Sequence, residues 1–179
     1  MRNETGRSGH AELIEIQAVG LTDHKRRGEA GEAAFLAKAS SLGFRVSKPW
    51  GDSDPYDFVV NCGHGFLRVQ VKTATSYYQS RYRVKGERRA APYTKKDIDF
   101  LTAHVVPENL WYVVPVESFA PRCMLRFNPH GSGKSKFERY REAWCLLACS
   151  EKARGWKDVP VICRSRELLV RCAVCPLHN

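Results

Sequence analysis

The chain has 179 residues, with 29 Lys or Arg and 19 Asp or Glu, which gives a formal net charge of +10. A chain of this length can form one domain with a hydrophobic core. The strong positive charge favours a polyanionic partner such as a nucleic acid. No apolar stretch is long enough to span a bilayer, and the first residues lack the apolar segment of a signal peptide. We therefore expect a cytoplasmic protein without a membrane contact.

The cysteine pattern does not predict a disulfide framework, because the chain has an odd number, 7, and a secreted protein is not expected. Cys172 and Cys175 have the Cys-x2-Cys spacing of one half of a zinc site, with Cys163 and His178 nearby in the sequence. A clean second pair is missing. A structural zinc at these four residues is therefore disfavoured.

The first half of the chain predicts a helix followed by strands. Residues 1–21 are a leader to which we assign no role. An N-cap at Thr22 or Asp23 and a stop at Gly43 delimit a helix with small and apolar residues on one stripe. Apolar runs bounded by turn residues then predict strands at 44–49, 56–61 and 66–73.

The second half begins with a long polar segment, at about 76–96, which is rich in Arg, Lys and Tyr. Two strands at 99–106 and 111–116 follow, joined by a short turn. Apolar spacing over residues 137–149 predicts an amphipathic helix. The order of elements predicts one α/β domain at 22–150 with a central mixed sheet flanked by helices. Residues 151–179 form a Cys-containing extension.

Three polar residues on neighbouring strands carry the functional prediction. Asp57 begins one apolar run, and Gln70 and Lys72 lie near the end of the next. Alternation along a strand places Gln70 and Lys72 on one face, and a hairpin brings Asp57 beside them. A carboxylate, an amide oxygen and an ammonium on one face can hold a metal ion and a hydrolytic water. The usual meaning of such alternation is the solvent face of an ordinary amphipathic strand, and this alternative stays open.

Together with the first helix, these motifs resemble the PD-(D/E)xK nuclease superfamily, and most closely its group I intron-associated homing endonucleases. The resemblance covers about 22–148 and keeps order and spacing. It implies a restriction-endonuclease-like core and a metal-dependent DNA endonuclease. The segments that carry it are Gly28-Glu29-Ala30-Gly31-Glu32, Gly51 to Asp57, Val69-Gln70-Val71-Lys72-Thr73, Asp97 to Leu101 and Trp111 to Pro115.

The resemblance also implies roles for individual residues. Asp57, Gln70, the backbone carbonyl of Val71 and Glu32 would hold Mg²⁺ or Mn²⁺, which prefer oxygen ligands. Lys72 would position the water or stabilise phosphate charge. Glu32 is preferred to Glu29 because it lies four residues after Gly28, as in the family, but both stay open. Gln70 replaces the usual carboxylate and removes one negative charge from the site.

The polar segment mixes cations with tyrosines, as DNA-binding surfaces do, although such runs are more often solvated loops. Duplex DNA is the expected partner. Since a duplex has two strands to cut, we expect a symmetric homo-oligomer, a dimer or a tetramer. The candidate DNA-binding residues are Tyr78, Arg81, Arg83, Lys85, Arg88, Arg89, Lys95 and Lys96.

Three alternatives remain open from the sequence. The amide at position 70 is compatible with a DNA-binding protein of the same fold that has lost catalysis. A structure-selective nuclease, such as a junction resolvase, has the same core. A defence or repair nuclease would differ from an intron-mobility enzyme in biological role and not in chemistry.

Overall fold

The computed structural model of the protein describes residues 24–63, 65–131 and 135–148. The leader, the N-cap predicted at Thr22 or Asp23 and the extension at 151–179 lie outside these residues. The disfavoured zinc candidates, Cys163, Cys172, Cys175 and His178, belong to that extension.

One α-helix, α1 (His24–Ser41), precedes the strands in the described chain, as predicted. Short 3-10 turns lie at Val106–Glu108, Val116–Ser118, Glu138–Tyr140 and Trp144–Leu147. The strands are β1 (Arg45–Ser47), β2 (Phe58–Asn61), β3 (Phe66–Ala74), β4 (Tyr77–Tyr78), β5 (Arg81–Lys85), β6 (Glu87–Arg88), β7 (Ala91–Pro92), β8 (Phe100–Val105), β9 (Leu110–Pro115) and β10 (Met124–Phe127).

The central sheet has five strands in the order β1-β2-β3-β8-β9. β3 and β8 are parallel, and the other neighbours are antiparallel. The sheet is therefore mixed, as predicted. β3 lies in the middle of it, and its residues Leu67, Val69 and Val71 are buried. This central position supports the rigid placement of the polar side chains that β3 carries.

The two faces of the central sheet have different covers. On one face, Phe35 of α1 lies 5.1 Å from Phe58 and 6.1 Å from Trp111, measured between ring centroids. On the other face, Tyr112 stacks on Phe127 of β10 with centroids 4.3 Å apart. Trp111 and Tyr112 are neighbours in β9 and so point to opposite faces. Within the described residues, the sheet thus has a helix on one side and a small second sheet on the other.

The polar segment at 76–96 contains four short strands. β5 pairs with β4 and β10 in a three-stranded sheet, and β6 pairs with β7. Alternation explains β5, because Tyr82 and Val84 are buried whereas Arg81 and Lys85 are exposed. We refer to the three-stranded sheet β10-β5-β4 as the basic sheet.

The α-helix predicted at 137–149 is wrong for the part of it that the structure describes. Residues Glu138–Tyr140 and Trp144–Leu147 form separate 3-10 turns, and Glu142 between them has a positive φ of 48°. The N–H of Glu142 donates to the carbonyl of Trp111 at 2.7 Å, and its Oε1 accepts from the N–H of Trp111 at 2.8 Å. Pairing with the open edge of β9 thus replaces helical hydrogen bonds.

No helix in the described parts of the chain is both long enough and apolar enough to cross a membrane.

Gly31 sets how closely α1 approaches the sheet. It is buried, and a Cβ at this position would lie 2.0 Å from Oγ1 of Thr73 on β3. Thr is stiff about χ1, so its side chain yields little. The next residue, Glu32, is thereby held at the end of the sheet near Asp57.

We predict that Gly31→Ala destabilises the protein by about 1–3 kcal/mol, because the added methyl group overpacks the contact with Thr73. Gly28→Ala is the matched control: a Cβ at Gly28 meets nothing within 4 Å. That change should stabilise the helix by about 0.5–1 kcal/mol. Urea denaturation followed by circular dichroism measures both. Equal effects of the two substitutions would contradict the close approach.

Candidate active site

Asp57 is joined directly to the backbone of β3. Its N–H donates to the carbonyl of Val69 at 3.0 Å, and its Oδ2 accepts from the N–H of Val71 at 2.7 Å. The register that aligns Phe58 with Val69 places Asp57 beside Gln70. The predicted hairpin therefore forms, and it delivers the carboxylate to the expected strand.

Gln70 is 6% exposed, and both polar atoms of its amide form hydrogen bonds. Its Nε2 donates to Oδ2 of Asp57 and to the carbonyl of Val71, the latter at 3.2 Å. Its Oε1 accepts from the hydroxyl of Tyr93 at 2.9 Å. The side chain thus links three of the groups that surround the site, and Tyr93 sets its orientation.

Lys72 lies on the same face of β3, as the alternation predicts. Burial lowers the pKa of its ammonium, while the nearby carboxylates of Asp57 and Glu32 act to raise it. Its Nζ is 5.9 Å from the centroid of the Tyr93 ring, a distance typical of a cation–π contact. Lys72 is therefore a partly desolvated cation beside two carboxylates.

Glu32 reaches the same centre from α1. Its Oε2 accepts from Nζ of Lys48 at 2.7 Å. This hydrogen bond raises the pKa of Lys48. Glu29 is exposed on the same helix, and its charge also contributes to that rise.

The pKa of Asp57 is set by opposing influences at this site. Burial raises the pKa of Asp57 to about 6, and the charge of Glu32 adds to the rise. The N–H of Val71 and the cations of Lys72 and Lys48 oppose it. A carboxylate with such a pKa is held near its protonation point, and that is a frequent property of functional sites.

The structure thus brings together the four side chains predicted as catalytic, Glu32, Asp57, Gln70 and Lys72. Three further residues at this centre were not predicted to lie there. Lys48 follows β1, just before Pro49, and no sequence motif around it indicated that it would lie at this centre. Tyr93 and Arg88 belong to the polar segment, where composition alone could not separate site residues from surface residues.

The donor set at this centre fits a hard divalent cation. Carboxylates of Asp57 and Glu32, the amide of Gln70 and the carbonyl of Val71 are the oxygen groups that Mg²⁺ binds. Within the described ranges there is no group of three or more His, Cys, Asp or Glu side chains that could hold a metal. An amide at position 70 reduces the carboxylates of the predicted set to two, which agrees with that finding.

A partly exposed ion pair anchors the chain around Tyr93. The guanidinium of Arg68 on β3 donates to both carboxylate oxygens of Asp99, at 3.1 and 3.2 Å, and to the carbonyls of Lys95 and Lys96. The hydrogen bond to Asp99 raises the pKa of Arg68. The turn that follows Tyr93 is therefore fixed to the same strand that carries Gln70 and Lys72.

The predicted DNA-binding residues fall into three places. Tyr78, Arg81, Arg83 and Lys85 belong to the basic sheet, where the Arg83 guanidinium lies 4.7 Å from the ring centroid of Tyr78. Arg88 and Arg89 lie at the β6–β7 hairpin. Lys95 and Lys96 lie in the turn before β8.

Arg88 supports the loop in front of the site. Its Nη2 donates to the carbonyl of Ser53 at 2.7 Å, which ties β6 to the turn that leads into Asp57. Lys95 forms an ion pair with Glu117 at 3.2 Å. Both contacts give these residues a structural role.

Comparison with known proteins agrees with this geometry. The family model of the PD-(D/E)XK endonucleases matches residues 22–147. The chain belongs to the PD-(D/E)XK endonuclease family. As a member it is a nuclease, and its five-stranded mixed sheet with α1 is a restriction-endonuclease-like fold.

Among solved structures, the bacterial homing endonuclease I-Ssp6803I is similar to this PD-(D/E)XK chain at 30% identity with a TM-score of 0.62. The match covers 76% of this chain and 99% of that one. The Holliday junction resolvase Hjc of Archaeoglobus fulgidus is 14% identical with a TM-score of 0.39, over 57% of this chain and 88% of that one. No curated protein sequence matches significantly.

We predict that Asp57→Asn stabilises the protein at pH 7.5 but not at pH 4. The native pKa of about 6 lies above the ordinary value of 3.8. The native state therefore holds a proton that the unfolded state has lost, and stability falls as pH rises from about 4 to 6. Removing the charge should restore about 1–3 kcal/mol above pH 6, as measured by urea denaturation.

Asp97→Asn is the control of opposite sign. Hydrogen bonds from the hydroxyl and the N–H of Thr94 lower the pKa of Asp97. Its ionised form therefore stabilises the fold, and the substitution should destabilise the protein at pH 7.5. If Asp57→Asn changed the stability equally at pH 4 and pH 7.5, the raised pKa of Asp57 would be contradicted.

Proposed function

We propose that this protein is a Mg²⁺-dependent endonuclease that hydrolyses phosphodiester bonds in duplex DNA. The observation that carries the proposal is the convergence of Asp57, Glu32, Gln70 and Lys72 around the central strand β3. Family membership supports the hydrolytic chemistry. The metal, the duplex substrate and the residue roles are our inference.

In this proposal the oxygen groups of Asp57, Glu32, Gln70 and the Val71 carbonyl would hold Mg²⁺ or Mn²⁺. The ion would supply Lewis acidity toward the phosphate and lower the pKa of a bound water. Asp57 would contribute as the ionised carboxylate, and its pKa of about 6 keeps it ionised at neutral pH. Desolvation strengthens the interaction of this charge with any cation.

Lys72 would act on the phosphate side. Its buried ammonium is a compact cation, suited to orienting the attacking water and to stabilising negative charge that grows on the phosphate. Burial lowers its pKa, so the cost of deprotonation is reduced. The ring of Tyr93 and the hydrogen bonds of Gln70 would keep Lys72 and the metal-binding groups in register.

The cationic residues around the site favour a nucleic-acid substrate. Burial is the main cause of the lowered pKa of Lys72, and the nearby positive charges of Lys85 and Arg88 lower it further. Positive charge therefore continues from the catalytic centre onto the basic sheet. A duplex backbone along this path would release counterions on binding.

Similarity to a bacterial homing endonuclease supports a site-specific role, and we extend the proposal to intron-associated mobility. Cutting both strands of a duplex needs two centres. We therefore propose a homo-oligomer, a dimer or a tetramer, in which symmetry relates the centres.

The direct test is incubation of the protein with a randomised duplex library and Mg²⁺, followed by sequencing of the new ends. We expect cleavage at one site or a small set of sites, and none in the presence of a chelator. Asp57→Ala or Lys72→Ala should reduce cleavage by about 10²-fold or more. Undiminished cleavage by either purified variant would overturn the assignment.

A pair of glutamine substitutions distinguishes the two helix glutamates. Glu32→Gln should lower cleavage by about tenfold or more, since Glu32 acts directly on Asp57. Glu29→Gln removes the same charge from an exposed position one turn away and should change the rate by about twofold or less. A larger loss from Glu29→Gln than from Glu32→Gln would reassign the helix carboxylate.

A second candidate is a DNA-binding protein without catalysis, which the amide at Gln70 favours by removing one carboxylate. Binding of duplex DNA with Mg²⁺ present and no product would select it. Parallel incubation with a branched and a linear duplex of the same sequence would separate a junction-selective nuclease from a linear-duplex one. Cleavage confined to the branched substrate would overturn the homing role.

A further inference from the structure

A cavity of about 400 Å³ lies on the basic sheet, away from the catalytic centre. Four cations line it: Arg81 of β5, Arg126 of β10, Arg122 just before β10, and Lys136. Among the described residues that line the cavity, none is acidic. The amide of Asn128 and the hydroxyl of Ser135 add neutral groups that can bond to oxygen.

The sheet beneath this cavity brings like charges together. Arg126 is directly opposite Arg83 in the β10–β5 ladder, an arrangement that costs stability in a sheet without an anion. Burial lowers the pKa of Lys136, and the nearby charge of Arg122 adds to this. A cavity lined by charges of one sign concentrates ions of the opposite sign.

The cavity runs along β5 toward the catalytic centre. Arg81 at one end of β5 lines the cavity, and so does Met124, which is paired with Lys85 at the other end. The charge of Lys85 in turn acts on the pKa of Lys72. Four residues of extended strand span about 13 Å. Duplex DNA advances 3.4 Å per base pair, so this distance corresponds to about four base pairs.

We propose that the cavity binds a backbone phosphate of duplex DNA within about four base pairs of the phosphodiester bond that is cut. The site deepens the proposed function and rests on it. Arg122, Arg126 and Lys136 hold that phosphate, and Arg81 extends the positive charge to the far end of β5. The site fixes the register of the duplex and does not read bases, because phosphate contacts position a protein without reading sequence.

The test measures DNA binding and does not depend on cleavage. The full-length protein, with Ca²⁺ in place of Mg²⁺, is titrated with a duplex selected from the randomised library by binding alone, over a range of salt concentrations. Arg126→Gln and Arg122→Gln should each weaken binding by about tenfold. Each should also reduce the slope of log affinity against log salt by about one. A thermal melt of each variant checks that it is folded.

Arg45→Gln is the matched control, because Arg45 is exposed on β1 and lies opposite Asn61, at the far end of β2 from Asp57. It removes the same charge and should leave affinity within about twofold of the wild type. Equal losses from Arg45→Gln and Arg126→Gln would mean that net charge alone matters, and this would overturn the site.

Interference mapping locates the phosphate. At least one backbone phosphate of this duplex should, when ethylated, weaken binding of the wild type and have no further effect on Arg126→Gln. A cut made in Mg²⁺ should lie within about four base pairs of that phosphate. Wild-type binding with no such phosphate would overturn the site. Wild-type binding with this interference but without cleavage in Mg²⁺ would support the phosphate site and reject the endonuclease function. Tight binding of inorganic phosphate, with duplex binding unaffected by Arg126→Gln, would identify a free-anion site instead.

Discussion

The carboxylate of Asp57, held against the backbone of β3, is the interaction on which the site depends. Its Oδ2 accepts from the N–H of Val71 at 2.7 Å and from the amide of Gln70, while its own N–H bonds to Val69. These bonds belong to the strand pairing itself, so forming the sheet also places the carboxylate. The same contact places Gln70 and Lys72, since both extend from β3.

Burial shifts the pKa values of the charged groups at this site, and it lowers native stability. The pKa of Asp57 rises to about 6 because water is excluded, and Glu32 adds repulsion. The same exclusion lowers the pKa of Lys72. A carboxylate and a lysine at the surface would form an ion pair with little desolvation cost, but water and salt would screen their charges. The raised pKa of Asp57 therefore costs native stability at neutral pH, as is common in functional centres.

Much of the fold followed from local patterns. Strand alternation around Gln70 and Lys72 and the turn after Asn61 predicted the hairpin, and the helix near Glu32 was also correct. The helix at 137–149 was wrong because the edge of β9 offered Glu142 better hydrogen bonds than a helix did. The small strands at 77–92 were missed because each is two to five residues long, and because β5 also pairs with β10, which is distant in sequence.

The sequence by itself determined the order of the main elements, the basic charge, and the identity of Glu32, Asp57, Gln70 and Lys72 as candidate residues. These properties depend on residue type and short spacing, which one chain displays directly. Only the tertiary structure decided that Lys48 pairs with Glu32, that Tyr93 orients Gln70, and that Arg81, Arg122 and Arg126 surround one cavity. Such contacts join residues far apart in sequence, and no local pattern records the distance between them.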